Sequence, residues 1–267
     1  MPLKIKIESL GIHLPEKVLT TEDLLSACRS RPRVDLEKVT GIAQRRVAVD
    51  EYAADLAVGA ARRALAMSRY AAEDLDAVVC TSISKHHRPD EFSFEPATAV
   101  LVRRAIGAKK ALVFDVVNAC AGLLNGIWVL QGLIRSGAIR RGMVVSGEQN
   151  MPLAWTATRE VRHSLDRQLA ALTLGDCGAA VIVDASPDEK HGFHWLDLVT
   201  GARHDHFCYS KPSTRGSGGI LITKARGLQI EGNRNFPAYL KQALDGTGWD
   251  LNDVHHIIPH QVSTRAI

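Results

Sequence analysis

Cys120 is the residue in this sequence best placed to do chemistry. It stands in Asn118–Ala119–Cys120–Ala121–Gly122, between an apolar run from Ala111 to Val117 and a helical pattern that continues to Arg135. Only Asp115 breaks the run, and its β-branched and aromatic residues read as a buried strand. Leu123, Leu124, Ile127, Leu130, Leu133 and Ile134 then recur at helical spacing, with Gly137 placed to stop the helix. Asn125 and Gln131 alone interrupt the apolar character, so the helix is expected to be buried over most of its circumference. At a strand-to-helix junction, unpaired amide N–H groups favour the thiolate, which is the nucleophilic form. A cysteine that merely lets a helix pack closely on a sheet would occupy the same position. The other group able to do chemistry is His191, His194, His204, His206 and Cys208. In an extended segment His204, His206 and Cys208 would share one face, as metal ligands do. No further Cys/His pair completes a known spacing, so no metal site is expected.

The 267 residues are long enough for one large domain or two medium ones, and 46% hydrophobic with 23% charged residues is ordinary globular composition. No run approaches the roughly 18 apolar residues of a membrane span, and the N-terminus lacks the apolar core of a signal peptide. A cytoplasmic location is expected. Five cysteines, an odd number without a CxxC pair, point to reduced thiols. The net charge of +4 is mild, and no basic patch interleaved with aromatics suggests nucleic acid. The pairs Arg103–Arg104, Lys109–Lys110 and Arg140–Arg141 read as solvated helix ends.

Helical and buried-strand patterns alternate along the chain, which argues an α/β fold. A first strand is expected in the N-terminal fifteen residues, and a short helix after Thr21 as N-cap. An alanine-rich helix should run from about Glu51 to Met67, with strands over Leu75–Thr81, Gly142–Glu148 and Leu174–Ser186. Glu95–Pro96 should open another helix. Gln149–Gln168 looks polar and mobile. There is also an internal repeat: without gaps, at an offset of 179, Leu65 meets Leu244, Tyr70 meets Trp249, Asp74 meets Asp253, and Leu75 meets Val254. Val78–Val79 meet Ile257–Ile258, and Thr81 falls on His260. Two copies of one helix–turn–strand unit are expected, the second followed by seven residues where the first continues for about a hundred. The expected division is 1–187 and 188–267, the second half incomplete.

With these motifs the chain resembles the β-ketoacyl-acyl-carrier-protein synthase III branch of the thiolase superfamily. The resemblance rests on NACAG around Cys120, GDCGAAVIV from Gly175, TGIAQRR from Thr40 and PHQVSTR from Pro259, in family order along essentially the whole chain. It implies a duplicated five-layer αβαβα fold and a Claisen condensation or acyl transfer on thioesters. Cys120 matches the nucleophile that takes an acyl group from coenzyme A or a carrier protein. His260 matches the histidine that stabilises the enolate of the second substrate. Arg265 matches an arginine that contacts pantetheine or nucleotide phosphate. The resemblance further implies a homodimer, a possible acyl-carrier-protein partner, and no cofactor beyond acyl-CoA or acyl-carrier thioesters.

Three departures from the family pattern qualify these expectations. The family's catalytic asparagine lies in a later glycine–asparagine motif, and the sequence is expected to end before it. Asp35 stands where family members carry an adenine-stacking tryptophan, and Val39 where they carry an arginine. Glu95, twenty-five residues before Cys120, resembles the base of head-to-head condensing enzymes of olefin synthesis, and a carboxylate favoured by a helix dipole is the plainer account of it. An acyltransferase acting on an oxygen or nitrogen nucleophile, and an inactive fragment or a subunit completed by another chain, are the alternatives.

Overall fold

The computed structural model describes residues 4–88, 91–93, 95–188 and 190–264. In chain order its elements are β1 (Ile5–His13), β2 (Lys17–Thr20), α1 (Thr21–Ser26), α2 (Leu36–Thr40), β3 (Gln44–Val47), α3 (Ala53–Ala66) and β4 (Ala77–Cys80). There follow β5 (His86–Arg88), β6 (Glu91–Phe92), α4 (Thr98–Ile106), β7 (Leu112–Asp115), α5 (Gly122–Arg135) and β8 (Arg141–Glu148). The last are α6 (Met151–Glu160), β9 (Cys177–Ala185), β10 (Cys208–Pro212), β11 (Gly219–Thr223) and α7 (Ala225–Thr247). The chain groups into two units, one of residues 1–17, 46–149 and 176–198, the other of 18–45, 150–175 and 199–267.

The first unit is built on a five-stranded sheet of order β1-β9-β8-β4-β7. β4 runs parallel to both β7 and β8, whereas β9 is antiparallel to β8 and β1. One core lies between the sheet and α3 with α4: Ala57, Ala60, Ala61 and Ala64 meet Val78, Met143, Val145 and Ile182. Alanine on this helix allows contact close enough that a Cβ at Gly178 would come 2.0 Å from the Leu56 carbonyl oxygen. The second core, on the other face, packs Ile127, Leu130 and Ile134 of α5 against Val79, Val144, Val181 and Val183. Burying such side chains contributes roughly 1.5–3 kcal/mol each before conformational entropy is subtracted.

α5 buries only one side, formed by Gly122, Gly126, Ile127, Leu130, Gln131 and Ile134. Leu124 is 50% and Trp128 47% exposed. The expectation of burial around most of the helix therefore fails, because among the described residues of this unit α5 has the sheet on one side and no second layer on the other. Gln131 is buried although polar, so composition alone misassigned the faces.

In the second unit Thr20, not Thr21, caps α1, its hydroxyl accepting from the Asp23 N–H at 3.0 Å. Thr21 instead accepts from the buried Arg45, whose guanidinium also donates to the Thr20 and Leu172 carbonyls. The stretch read as mobile, Gln149–Gln168, contains α6, whose Met151, Ala154, Ala157 and Glu160 are buried. Its apolar face is made of alanine, methionine and threonine methyls, which a polar reading overlooks. Glu160 is held by Gln168 at 3.1 Å and by the Ser213 hydroxyl. His204 and His206 lie in a 3-10 helix (Ala202–Phe207) rather than an extended segment, so the one-face arrangement with Cys208 does not form. His204 is 3.6 Å from Glu231, and His206 is 3.5 Å from Asp205.

The repeat has a structural counterpart in all but its last part. A single 3-10 turn occupies Ala72–Asp74 in the first copy and Leu251–Asp253 in the second, at the same offset. The expected second strand is absent: Val254–His260 is irregular, and no strand pairs with it among the described residues. A strand needs neighbours to receive its N–H and C=O groups, and β4 has one on each side.

Candidate functional site

β4, β7 and β8 run parallel, so their C-terminal ends meet at one end of the sheet, where open α/β sheets place their ligands. Cys120 follows β7 at this end. It sits in a 3-10 turn, Ala119–Ala121, two residues ahead of α5, and is exposed. A 3-10 turn rather than the α-helix itself therefore carries Cys120. Ala119 holds φ +40°, a conformation that costs an L-residue on the order of 1–2 kcal/mol. Such strain survives only where neighbours enforce it. Here Ala121 N–H donates to the Asn118 carbonyl at 3.0 Å, and the Asn118 and Asn125 side chains join at 3.1 Å.

Two glycines fix where the helix starts. A Cβ at Gly122 would lie 3.1 Å from the Thr81 carbonyl oxygen, and one at Gly126 would lie 2.6 Å from Val144 Cγ1. α5 thus presses its first turns against the end of β4 and the middle of β8, and the turn carrying Cys120 is held at the sheet's rim.

Polar side chains that the sequence reading left without a role surround this end. Asp115, the one charge in the apolar run, accepts from the Thr98 and Ala99 N–H groups at 3.1 and 2.9 Å, capping α4. Lys85 pairs with it at 2.5 Å, both side chains being largely buried. Glu148, ending β8, accepts from the Ile83 and Ser84 N–H groups at 2.8 and 3.1 Å and from the Ser84 and Ser146 hydroxyls. A charge inside a buried strand was the available signal for Asp115; Glu148 offered none. Cys80, at the end of β4, is inert by comparison: burial pushes its thiol up to about 11. Burial likewise raises Cys177, with Glu148 and Asp176 adding like charge.

Glu95 lies on the loop leading into α4, with its carboxylate accepting from Ala97 N–H at 3.0 Å. Pro96 stands ahead of the helix, which begins at Thr98, rather than in its first turn. The geometry matches the helix-end account of Glu95, and the side chain is exposed. Lys85, Asp115, Glu95, Glu148 and the Cys120 turn therefore belong to one end of the first unit. His260 belongs to the second unit, where it is exposed in the irregular segment after Asp253. Arg265 lies outside the described residues. Asp35, at the tryptophan position, caps α2 by accepting from Lys38 N–H at 2.9 Å.

Two motifs that suggested the family have structural roles. Asp176 of GDCG accepts from Ala48 N–H at 2.9 Å, and its own N–H donates to the Arg46 carbonyl. Arg46 of TGIAQRR donates to the carbonyls of Pro15 and Glu16. None of the five cysteines forms a disulfide, and no group of three His, Cys, Asp or Glu side chains suited to a metal occurs among the described residues. No helix among the described residues is long and apolar enough to cross a membrane.

Comparison with known proteins agrees with the fold. The family model for 3-oxoacyl-[acyl-carrier-protein] synthase III matches residues 114–203, which contain Cys120. The β-ketoacyl-[acyl-carrier-protein] synthase III of Rhodospirillum centenum is 32% identical over the whole chain, which spans 80% of that protein. The Streptococcus suis enzyme of the same name is 33% identical over 98% of this chain and 78% of its own. Among solved structures, the Pseudomonas aeruginosa 3-oxoacyl-(acyl carrier protein) synthase III superposes with a TM-score of 0.81 at 26% identity, covering 98% of this chain and 77% of that one. OleA of Xanthomonas campestris, solved with bound lauric acid and lauroyl-CoA, gives 0.81 at 26% identity over the whole chain and 80% of its own length. On this evidence the chain belongs to the β-ketoacyl-acyl-carrier-protein synthase III family of the thiolase superfamily.

Proposed function

We infer that this protein is an acyl-thioester condensing enzyme whose acyl group is carried on Cys120. The observation supporting this reading most is the strained, exposed cysteine turn at the C-terminal end of three parallel strands, in a member of a condensing-enzyme family. The sulfur attacks the carbonyl of an acyl-CoA or acyl-carrier thioester, forms a new thioester and releases the donor thiol. A carbanion or enolate from a second acyl thioester then attacks that acyl carbon, releasing the Cys120 thiolate and forming a 3-oxoacyl product. His260, by its match to the family motif, donates a hydrogen bond to the enolate oxygen. Arg265 contacts the pantetheine or nucleotide phosphate of the donor. The halves 1–187 and 188–267 correspond to the two parts of the thiolase duplication, the protein is a homodimer, and its location is the cytoplasm.

Glu95 is proposed as the base that removes the α-proton of the second chain. Glu95→Gln should leave the loading of Cys120 unchanged and reduce formation of the 3-oxoacyl product at least a hundredfold, read by mass spectrometry of released products. An unchanged yield would assign Glu95 to capping α4 alone. If the Cys120 acyl group passes instead to an added alcohol or amine without carbon–carbon bond formation, the acyltransferase reading replaces condensation.

A further inference from the structure

The far end of the first unit, where β4 and β8 begin and α5 ends, holds an open cavity of about 370 Å³. Cys120 lies at the other end of α5, about 21 Å away at 1.5 Å per helical residue. The cavity walls include Arg69, Tyr70, Arg140, Arg141 and Asp184, with Ile134 and Ile139 as an apolar floor.

The charges in this cavity do not balance. Asp184 is 3% exposed: its Oδ2 accepts from Arg69 at 2.5 Å and from the Tyr70 hydroxyl at 2.8 Å, while its Oδ1 is ion-paired with Lys6 at 3.2 Å but accepts no hydrogen bond. The guanidiniums of Arg69 and Arg141 lie 4.9 and 4.5 Å from the Tyr70 ring centroid. Asp76, the other carboxylate nearby, accepts the backbone N–H groups of Arg140 and Arg141 at 2.8 and 3.1 Å. Its oxygen is 4.0 Å from Arg141 Nε, too far for a hydrogen bond, and that Nε is buried with no partner. The Arg140 guanidinium makes no hydrogen bond or ion pair among the described residues and is exposed. Glu8, close enough for its charge to be felt at Asp184, is held by the Ser68 hydroxyl and the Arg69 N–H. Lys6, Arg69, Arg140 and Arg141 thus outnumber the three carboxylates.

The end of α5 does not oppose an anion here. The N–H groups of Ser136, Gly137, Ala138 and Ile139 return to the carbonyls of Gly132, Ile134 and Leu133 and close the helix terminus. The Arg141 guanidinium stacked on the Tyr70 ring, beside the exposed guanidinium of Arg140, is a donor pair that two oxygens of one phosphate group would satisfy.

We propose that this cavity binds a phosphate monoester dianion, held by Arg140 and Arg141 with the Tyr70–Asp184–Arg69 cluster as its rigid wall. The site is independent of the Cys120 chemistry. The test is isothermal titration of the full chain with inorganic phosphate and with glycerol phosphate, at ionic strength held constant with chloride. Saturable one-site binding is expected, weakened at least tenfold in Arg140→Gln and abolished in Arg140→Glu, with Lys109→Gln unchanged. Arg140 is exposed, so both variants should keep the wild-type circular dichroism spectrum. Absence of saturable binding, or binding equally strong in Arg140→Glu, overturns the proposal, as does loss in Lys109→Gln of the same size. Sedimentation with phosphatidic-acid vesicles, competed by glycerol phosphate and dependent on Arg140, would assign the phosphate to a lipid headgroup. Glycerol-phosphate binding without sedimentation would assign it to a soluble ester.

Discussion

The two copies of the repeat are one sequence pattern in two environments. In both, a helix leads into a single 3-10 turn, and the aspartate in register makes the same bond in each. Asp74 accepts from Ala71 N–H at 3.0 Å, and Asp253 accepts from Asp250 N–H at 2.9 Å. Beyond the turn the copies diverge. Leu75 is 1% exposed just ahead of β4, and Val78 and Val79 are 0% exposed inside a sheet with parallel strands on either side. Ile257 and Ile258, their partners in the alignment, are 53% and 86% exposed. α7, twenty-three residues long, has no buried residue, whereas α3 buries six. Local hydrogen bonds within a few residues are therefore set by the sequence copy itself. Strand formation is set by what lies alongside.

The comparison is broken most sharply by placing a charge in each copy. Val79→Asp should cost roughly 3–5 kcal/mol, because the carboxylate is buried with no partner, and Ile258→Asp should stay within about 0.5 kcal/mol. Urea denaturation followed by tryptophan fluorescence reads both. Equal losses would mean that the second segment is packed as tightly as the first.

pH offers a second handle on the buried copy. The Cys80 thiol titrates near 11 in the folded chain, against 9.0 for an unperturbed thiol, because burial disfavours the thiolate. Being raised for an acid, this shift favours the unfolded state once the unfolded thiol ionises. Below pH 9 it contributes nothing, and between about pH 9 and 11 stability falls by up to ~1.4 kcal/mol per pH unit. In Cys80→Ala that part of the slope should vanish in denaturant melts across this range. The smallest effect is expected where the copies agree: Asp74→Ala and Asp253→Ala should each lose about 1 kcal/mol or less of local stability by hydrogen exchange at the turn. Protection lost in one copy alone would show that the shared bond is not equally used.

This contrast also explains what was legible in the sequence. The periodicities placed α3, β4, β8 and β9 within a few residues, because each is a strong pattern whose buried face meets a partner within its own unit. The Cys120 turn was readable from the change of period, but not the extra residues between β7 and α5, since Ala119 adopts a left-handed conformation that alanine does not advertise. The one-sided burial of α5 was not legible: Leu124 and Trp128 are apolar whether or not another layer covers them. Likewise α6 escaped notice because alanine and threonine carry weak hydrophobic signal, and Glu160 hides its burial behind hydrogen bonds with Gln168 and Ser213. Glu148 joins two loops through contacts 64 and 65 residues apart in sequence, which no local pattern encodes.

The measurement that tests the account most directly is intact mass spectrometry of the protein after incubation with acyl-CoA thioesters of several chain lengths. A stoichiometric mass increase equal to the acyl group, localised to the peptide containing Cys120 and absent in Cys120→Ala, is the predicted result. An unmodified protein, or an adduct carried equally by Cys177 and retained in Cys120→Ala, would contradict it.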